Sequence, residues 1–135
     1  MNRRSLREQV FKLLFRVEFN AKEEMEEQCH LFLEHEDVEI SEKDAEHIIG
    51  KFTEIHDRLE EIDKMIDEKA KGWSTDRMGK VELTIIRLAV YEMKFDEAIP
   101  EGVAINEAVE LAKNYGQDES SGFVNGVLAK FVEKA

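Results

Sequence analysis

Apolar residues recur every three or four positions along nearly the whole chain, and this periodicity narrows the fold more than any other feature. Ala45, Ile48, Ile49, Phe52, Ile55, Leu59, Ile62 and Ile66 keep that spacing, which draws one apolar stripe along a long helix reaching about Ala70. Leu6, Val10, Leu13, Leu14 and Val17 draw another near the start, and Phe11, Phe15 and Phe19 add a second stripe to the same segment. Residues 22–35 predict a shorter helix with Met25, Cys29 and Phe32 inward. The run VELTIIRLAVYEM (81–93) is apolar on most faces, so its helix belongs at the centre of a core. VAINEAVELAKNY (103–115) predicts a helix ended by Gly116, and FVNGVLAKFVEKA (123–135) a last helix that closes the chain.

Punctuation separates these elements. Ser5-x-x-Glu8 reads as a capping box and Ser41-x-x-Asp44 as a second cap. Gly72 suits a helix C-terminus, and Ser74 suits the start of a short turn of helix. The only proline lies in the loop DEAIPEG, and QDES holds a turn with Ser120 or Ser121 as cap. No strand-like alternation and no internal repeat appear. The expectation is an all-α fold, two small helical bundles packed into one domain, with halves 1–72 and 73–135.

Charge restricts what such a fold does. The chain of 135 residues is formally −12, yet residues 1–16 carry five bases and one acid. Residues 17–70 carry six bases and nineteen acids. That middle segment repels phosphate, so indiscriminate coating of nucleic acid is excluded, while contact with a short RNA at one end is not. The acidic middle reads either as a solvated helix face or as a face for a basic partner. One cysteine, no apolar run of membrane-spanning length and no secretory leader pattern fit a cytoplasmic protein without membrane attachment.

Catalytic and metal constellations are not apparent. His30, His35, His47 and His56 have no ligand spacing with one another or with Cys29. No carboxylate pair stands out, and neither a P-loop nor GxGxxG occurs. Cys29 lies on an inward stripe, where a structural thiol is the ordinary case. No catalytic residue, metal or cofactor is expected, and the chain does not read as an enzyme.

Arg3, Arg4 and Arg7 break a local rule. A helix N-terminus carries partial positive charge, so arginines there oppose helix stability. With Ser5 as N-cap, Arg3 and Arg4 lie just before the helix and Arg7 in its first turn. Unpaired N–H groups and guanidinium forks together suit a phosphate. On residues alone, a phosphate site and a solvated, frayed terminus both remain open.

VAINEAVELAKNYG (103–116) followed by SSGFVNGVL (120–128) resembles the NusB family of bacterial transcription antitermination factors. VELTIIRLAVYEM and the arginine-rich NRRSLREQVFKLLF are similar to that family's central and first helices, so the resemblance runs from about Arg3 to Phe131. It implies an all-α, non-enzymatic factor. Such a factor binds the boxA element of ribosomal RNA transcripts as single-stranded RNA, together with the ribosomal protein NusE. It helps assemble an RNA polymerase complex that resists termination. Carried over residue by residue, the resemblance assigns RNA contact to Arg3, Arg4, Arg7, Lys113, Glu119, Ser120 and Phe123. It assigns contact with the ribosomal protein to Phe15, Asp76 and Glu82. The family often has a lysine before the FVNG phenylalanine; here that residue is Gly122.

Read without the resemblance, several of these residues have structural explanations. Asn106 and Asn125 read as satisfied buried amides, Gly126 as a site of close helix packing, and Trp73 as a plug between bundles. Phe123 begins a stripe with Val127 and Phe131 and so reads as core; the resemblance instead makes it a partly exposed ring. Two other functions share the fold: a protein-interaction module without RNA binding, and the front domain of a ribosomal RNA methyltransferase.

Overall fold

A computed structural model describes residues 1–35 and 39–132. Among these there are seven α-helices and no strand. They are α1 (Arg3–Phe15), α2 (Met25–His35), α3 (Glu42–Asp57), α4 (Leu59–Lys69), α5 (Lys80–Phe95), α6 (Glu101–Tyr115) and α7 (Ser120–Ala129). Three 3-10 turns, Arg16–Glu18, Lys22–Glu24 and Thr75–Arg77, join some of them. The chain forms two compact units, Met1–Asp57 and Arg58–Ala135.

In the first unit α1 packs on α3, and α2 lies against α1. Val10, Phe11, Leu13 and Leu14 of α1 are buried with Ile48, Phe52 and Ile55 of α3 and Met25 and Phe32 of α2. Each such side chain contributes roughly 1.5–3 kcal/mol of burial free energy. Ser41 caps α3 as its pattern predicts: the Asp44 N–H donates to Ser41 Oγ at 3.1 Å. Cys29 is half-buried, and burial pushes its thiol pKa up, which suits a structural thiol rather than a nucleophile.

The second unit is arranged around α5, which packs against α4, α6 and α7. Every residue from Leu83 to Glu92 is buried, as the apolar run predicts. Arg87 is tolerated inside it because Nε and Nη2 each donate to an Asp63 carboxylate oxygen at 2.8 Å. This two-pronged pair compensates the desolvation that a lone buried guanidinium would suffer.

Three expectations are corrected here. The long helix predicted to Ala70 is two helices: Arg58, at φ −108° and ψ 7°, separates α3 from α4. No glycine or proline marks that break. The Arg58 guanidinium instead lies 4.5 Å from the centre of the Phe95 ring, and its carbonyl accepts the Ile62 N–H at 2.8 Å to start α4. The last helix ends at Ala129 rather than running to the end of the chain. Lys94 Nζ donates to the Phe131 carbonyl just beyond it at 2.9 Å, and residues 133–135 lie outside the described residues. The first helix begins before Ser5, which bears directly on the arginines.

Candidate RNA-binding surfaces

Asn2, not Ser5, is the N-cap of α1. Its side-chain oxygen accepts the Ser5 N–H at 2.8 Å and its carbonyl accepts the Leu6 N–H at 3.0 Å. Asn is among the preferred capping residues, so the helix starts as soon as one is available, and Ser5-x-x-Glu8 falls inside it. Arg3 and Arg4 therefore belong to the first turn, which contains no acidic residue. At 3.6 residues per turn, Arg3, Arg4 and Arg7 fall within an arc of about 100°. Arg3 and Arg4 are exposed and Arg7 is half-buried. The Met1 ammonium lies 3.0 Å from Asp44 Oδ2, linking this end of α1 to the start of α3. That bond holds the Asp44 carboxyl below its usual pKa. Arg16, at the other end of the helix, is used internally: Nη1 donates to Gln28 Oε1 at 3.1 Å and the guanidinium lies 5.2 Å from the Phe32 ring centre.

Phe15 is half-buried between Phe11 and Phe19, with ring centres at 6.4 and 5.1 Å. The phenylalanine stripe thus runs from a buried Phe11 to a Phe19 that is 60% exposed.

In the second unit, Lys113 is exposed near the end of α6, and its Nζ lies 3.6 Å from Glu110 Oε1. Both partners are largely in water, so that pair is weak and leaves the ammonium able to exchange partners. Glu119 is the exposed N-cap of α7 and makes no side-chain capping bond. Phe123 is half-buried, and its ring meets the Trp73 ring edge-on with centres 5.5 Å apart. Asp76 is exposed in the turn Thr75–Arg77.

Ser120 differs from the surface residue that its assignment requires. It is only 6% exposed. Its hydroxyl donates to Glu82 Oε2 at 2.7 Å and accepts the Gln117 N–H at 2.9 Å. The hydroxyl thus fixes the loop between α6 and α7 to the start of α5, and its one donor proton is already committed to Glu82. Glu82, assigned to the protein partner, is half-buried and is the other end of the same bond. Gly116 makes the close turn possible: a Cβ there would sit 2.6 Å from Ser120 Cβ and 2.8 Å from the Ala112 carbonyl.

Four local readings are also corrected. Asn106 and Asn125 are exposed, each on the solvent side of an amphipathic helix. Gly126 is exposed, and a Cβ there would meet nothing within 4 Å, so close packing does not explain it. Trp73 is 53% exposed and is not a buried plug. Gly122 is likewise exposed with open space around it.

The comparisons with known proteins concern this whole arrangement. The family model described as the NusB family matches residues 4–133. The chain belongs to the NusB family. Among its relatives in that family, the transcription antitermination protein NusB of Agathobacter rectalis is 56% identical over 131 residues, covering 97% of this chain and 99% of that one. The NusB of Lachnoclostridium phytofermentans is 45% identical over 133 residues, covering 98% of this chain and 100% of that one. Among solved NusB-family structures, T. maritima NusB is similar with a TM-score of 0.82 at 36% identity, covering 96% of this chain and 89% of that one. A chain in the crystal structure of antitermination factors NusB and NusE in complex with dsRNA is similar with a TM-score of 0.81 at 28% identity. That match covers 94% of this chain and 92% of the other.

Proposed function

We propose that this NusB-family chain is an RNA-binding transcription antitermination factor, non-enzymatic and cytoplasmic. It acts on boxA-type single-stranded RNA together with the ribosomal protein NusE, within an RNA polymerase complex engaged on ribosomal RNA. The observation that carries the reading is the arginine edge of α1. Three arginines share one helix face at the end where the free backbone N–H groups point, in a chain whose net charge is −12. Family membership supplies the partner: a related chain is crystallised in a complex of NusB, NusE and RNA.

In this reading Arg3, Arg4 and Arg7 hold phosphates, Lys113 adds a further cation, and Phe123 stacks on a base. Glu119 lines the loop beside Phe123. Ser120 acts through the loop that it fixes rather than through its own hydroxyl. Phe15 in the first unit and Asp76 in the second each contact the ribosomal protein, and Glu82 acts through its bond to Ser120. Among the described residues no helix is long and apolar enough to cross a membrane.

The test is an electrophoretic mobility shift of a boxA-type RNA, with and without the ribosomal protein. The expected result is binding by the chain alone and tighter binding by the pair. Absence of any shift at low salt with both proteins present would remove the reading.

A further inference from the structure

Trp73 is the only tryptophan in the chain and is 53% exposed, although its loop is anchored on both sides. Gly72, at φ +89°, turns the chain out of α4, and the Trp73 N–H donates to the Ala70 carbonyl at 2.9 Å. Two residues later Thr75 is buried. Its N–H donates to Asp67 Oδ1 at 2.7 Å and its hydroxyl to Asp67 Oδ2 at 3.4 Å. The indole is therefore presented by a built turn, not by a frayed one.

The turn that carries it also supplies exposed cations: Lys69, Lys71, Arg77 and Lys80 are all exposed, with Asp76 among them and Asp67, Glu68 and Glu82 flanking the segment. Exposed aromatic rings combined with cations are the means by which proteins hold single-stranded nucleic acid. An apolar anchor for a protein partner is instead typically centred in a patch depleted of lysine.

We propose that Trp73 is a second base-stacking residue beside Phe123, so that the aromatic site takes two bases of a single-stranded RNA. This rests on the RNA-binding reading of Phe123. The two rings meet at 72°, so bases lying parallel to each ring are not parallel to one another. The site accordingly selects a strand whose bases are already unstacked and splayed.

The single indole makes the test direct. A boxA-type RNA oligonucleotide is titrated into the full chain while tryptophan emission is followed, and affinity is measured separately by mobility shift. Quenching is expected with the same midpoint as the shift. Trp73→Ala is expected to weaken affinity roughly 5- to 150-fold, and Trp73→Phe to retain most of it. Trp73→Leu preserves apolar bulk without the π-face and is expected to lose as much as Trp73→Ala, which keeps the test valid if the alanine variant folds poorly. Normal RNA affinity in Trp73→Leu, together with unchanged indole emission when RNA binds the unsubstituted chain, overturns this inference and leaves the RNA-binding reading standing. Normal RNA affinity with lost binding to the ribosomal protein overturns it in favour of a protein contact. No RNA binding by the unsubstituted chain overturns both.

Discussion

Arg3, Arg4 and Arg7 come together within the first turns of one helix, whereas Trp73 and Phe123 meet from segments far apart in sequence. The arginine edge depends on a single cap, Asn2, and in the proposed reading its binding energy is charge set against phosphate. The aromatic site depends on the α4–α5 turn, the α6–α7 loop and the Ser120–Glu82 bond, and in the proposed reading its binding energy is stacking. Local order is enough to concentrate charge, because like charges on one turn need no tertiary partner. Presenting rings to solvent without losing them to the core needs a surrounding fold. The two sites should therefore respond differently to salt and to destabilisation.

The largest expected effect separates them by charge. Arg4→Glu with Arg7→Glu is expected to weaken RNA binding by about 3–6 kcal/mol, taking roughly 1.5–3 for each charge-assisted bond. The salt dependence should become shallower by about 0.7 for each phosphate that is no longer neutralised. Melting temperature should change little, because these residues lie outside the core. Unchanged affinity and slope in the double variant would leave the comparison without its electrostatic half.

Next is a contrast within α7 and the residues that follow it. Phe131 is buried and Phe123 is half-buried. Phe131→Ala is expected to lower stability by about 3–5 kcal/mol, with RNA affinity of the folded fraction preserved. Phe123→Ala is expected to lose about 1–3 kcal/mol of RNA affinity with an unchanged salt slope and a smaller loss of stability. Paired denaturation and RNA titrations measure both. Equal loss of stability in the two variants would assign Phe123 to the core.

Ser120→Ala sharpens the same comparison. It removes the bond to Glu82 and leaves the Gln117 N–H without its acceptor. A stability loss of about 1–3 kcal/mol is expected from urea denaturation. RNA bound to the remaining folded protein should show an ordinary salt slope. A selective loss of RNA affinity at unchanged stability would make Ser120 a direct contact.

The smallest effects lie at the two exposed glycines of α7. Gly126→Ala is expected to stabilise by about 1 kcal/mol, because the position is helical and open. Gly122→Lys has the same room and should add both helix propensity and a cation beside Phe123. RNA affinity should rise and become more salt-dependent. A loss of affinity in Gly122→Lys would show that the backbone at Gly122 must stay accessible.

Legibility in the sequence followed the range of the interactions concerned. The buried course of α5 is readable because a run apolar on all faces has no solvated alternative. The arginine edge is readable because its charge opposes the helix dipole within a few residues. The break at Arg58 is not, since Ile55, Leu59 and Ile62 continue the same spacing through it with no glycine or proline to mark it, and the contact that accompanies it is with a ring far along the chain, Phe95. Ser5-x-x-Glu8 misleads because Asn2 meets the same capping requirement three residues earlier. Asn106, Asn125 and Gly126 read as interior on the strength of apolar neighbours, but an amphipathic helix in a small unit keeps one side in water. Ser120 looks like a loop residue until Glu82, on another helix, is placed against it.

The Gly116–Ser120–Glu82 arrangement has a consequence for how this chain tolerates sequence drift. A side chain at 116 collides with Ser120, a serine at 120 needs its acceptor at 82, and a carboxylate at 82 without its serine is left half-buried and less satisfied. Changes at 82 and 120 are therefore felt by each other, whereas a side chain at 116 also meets the Ala112 backbone carbonyl, which no change at 82 or 120 relieves. Residues 82 and 120 are an epistatic pair built on an obligatory glycine. A library randomising residues 82 and 120 together, with Gly116 kept, should return folded variants that single substitutions at either position do not reach.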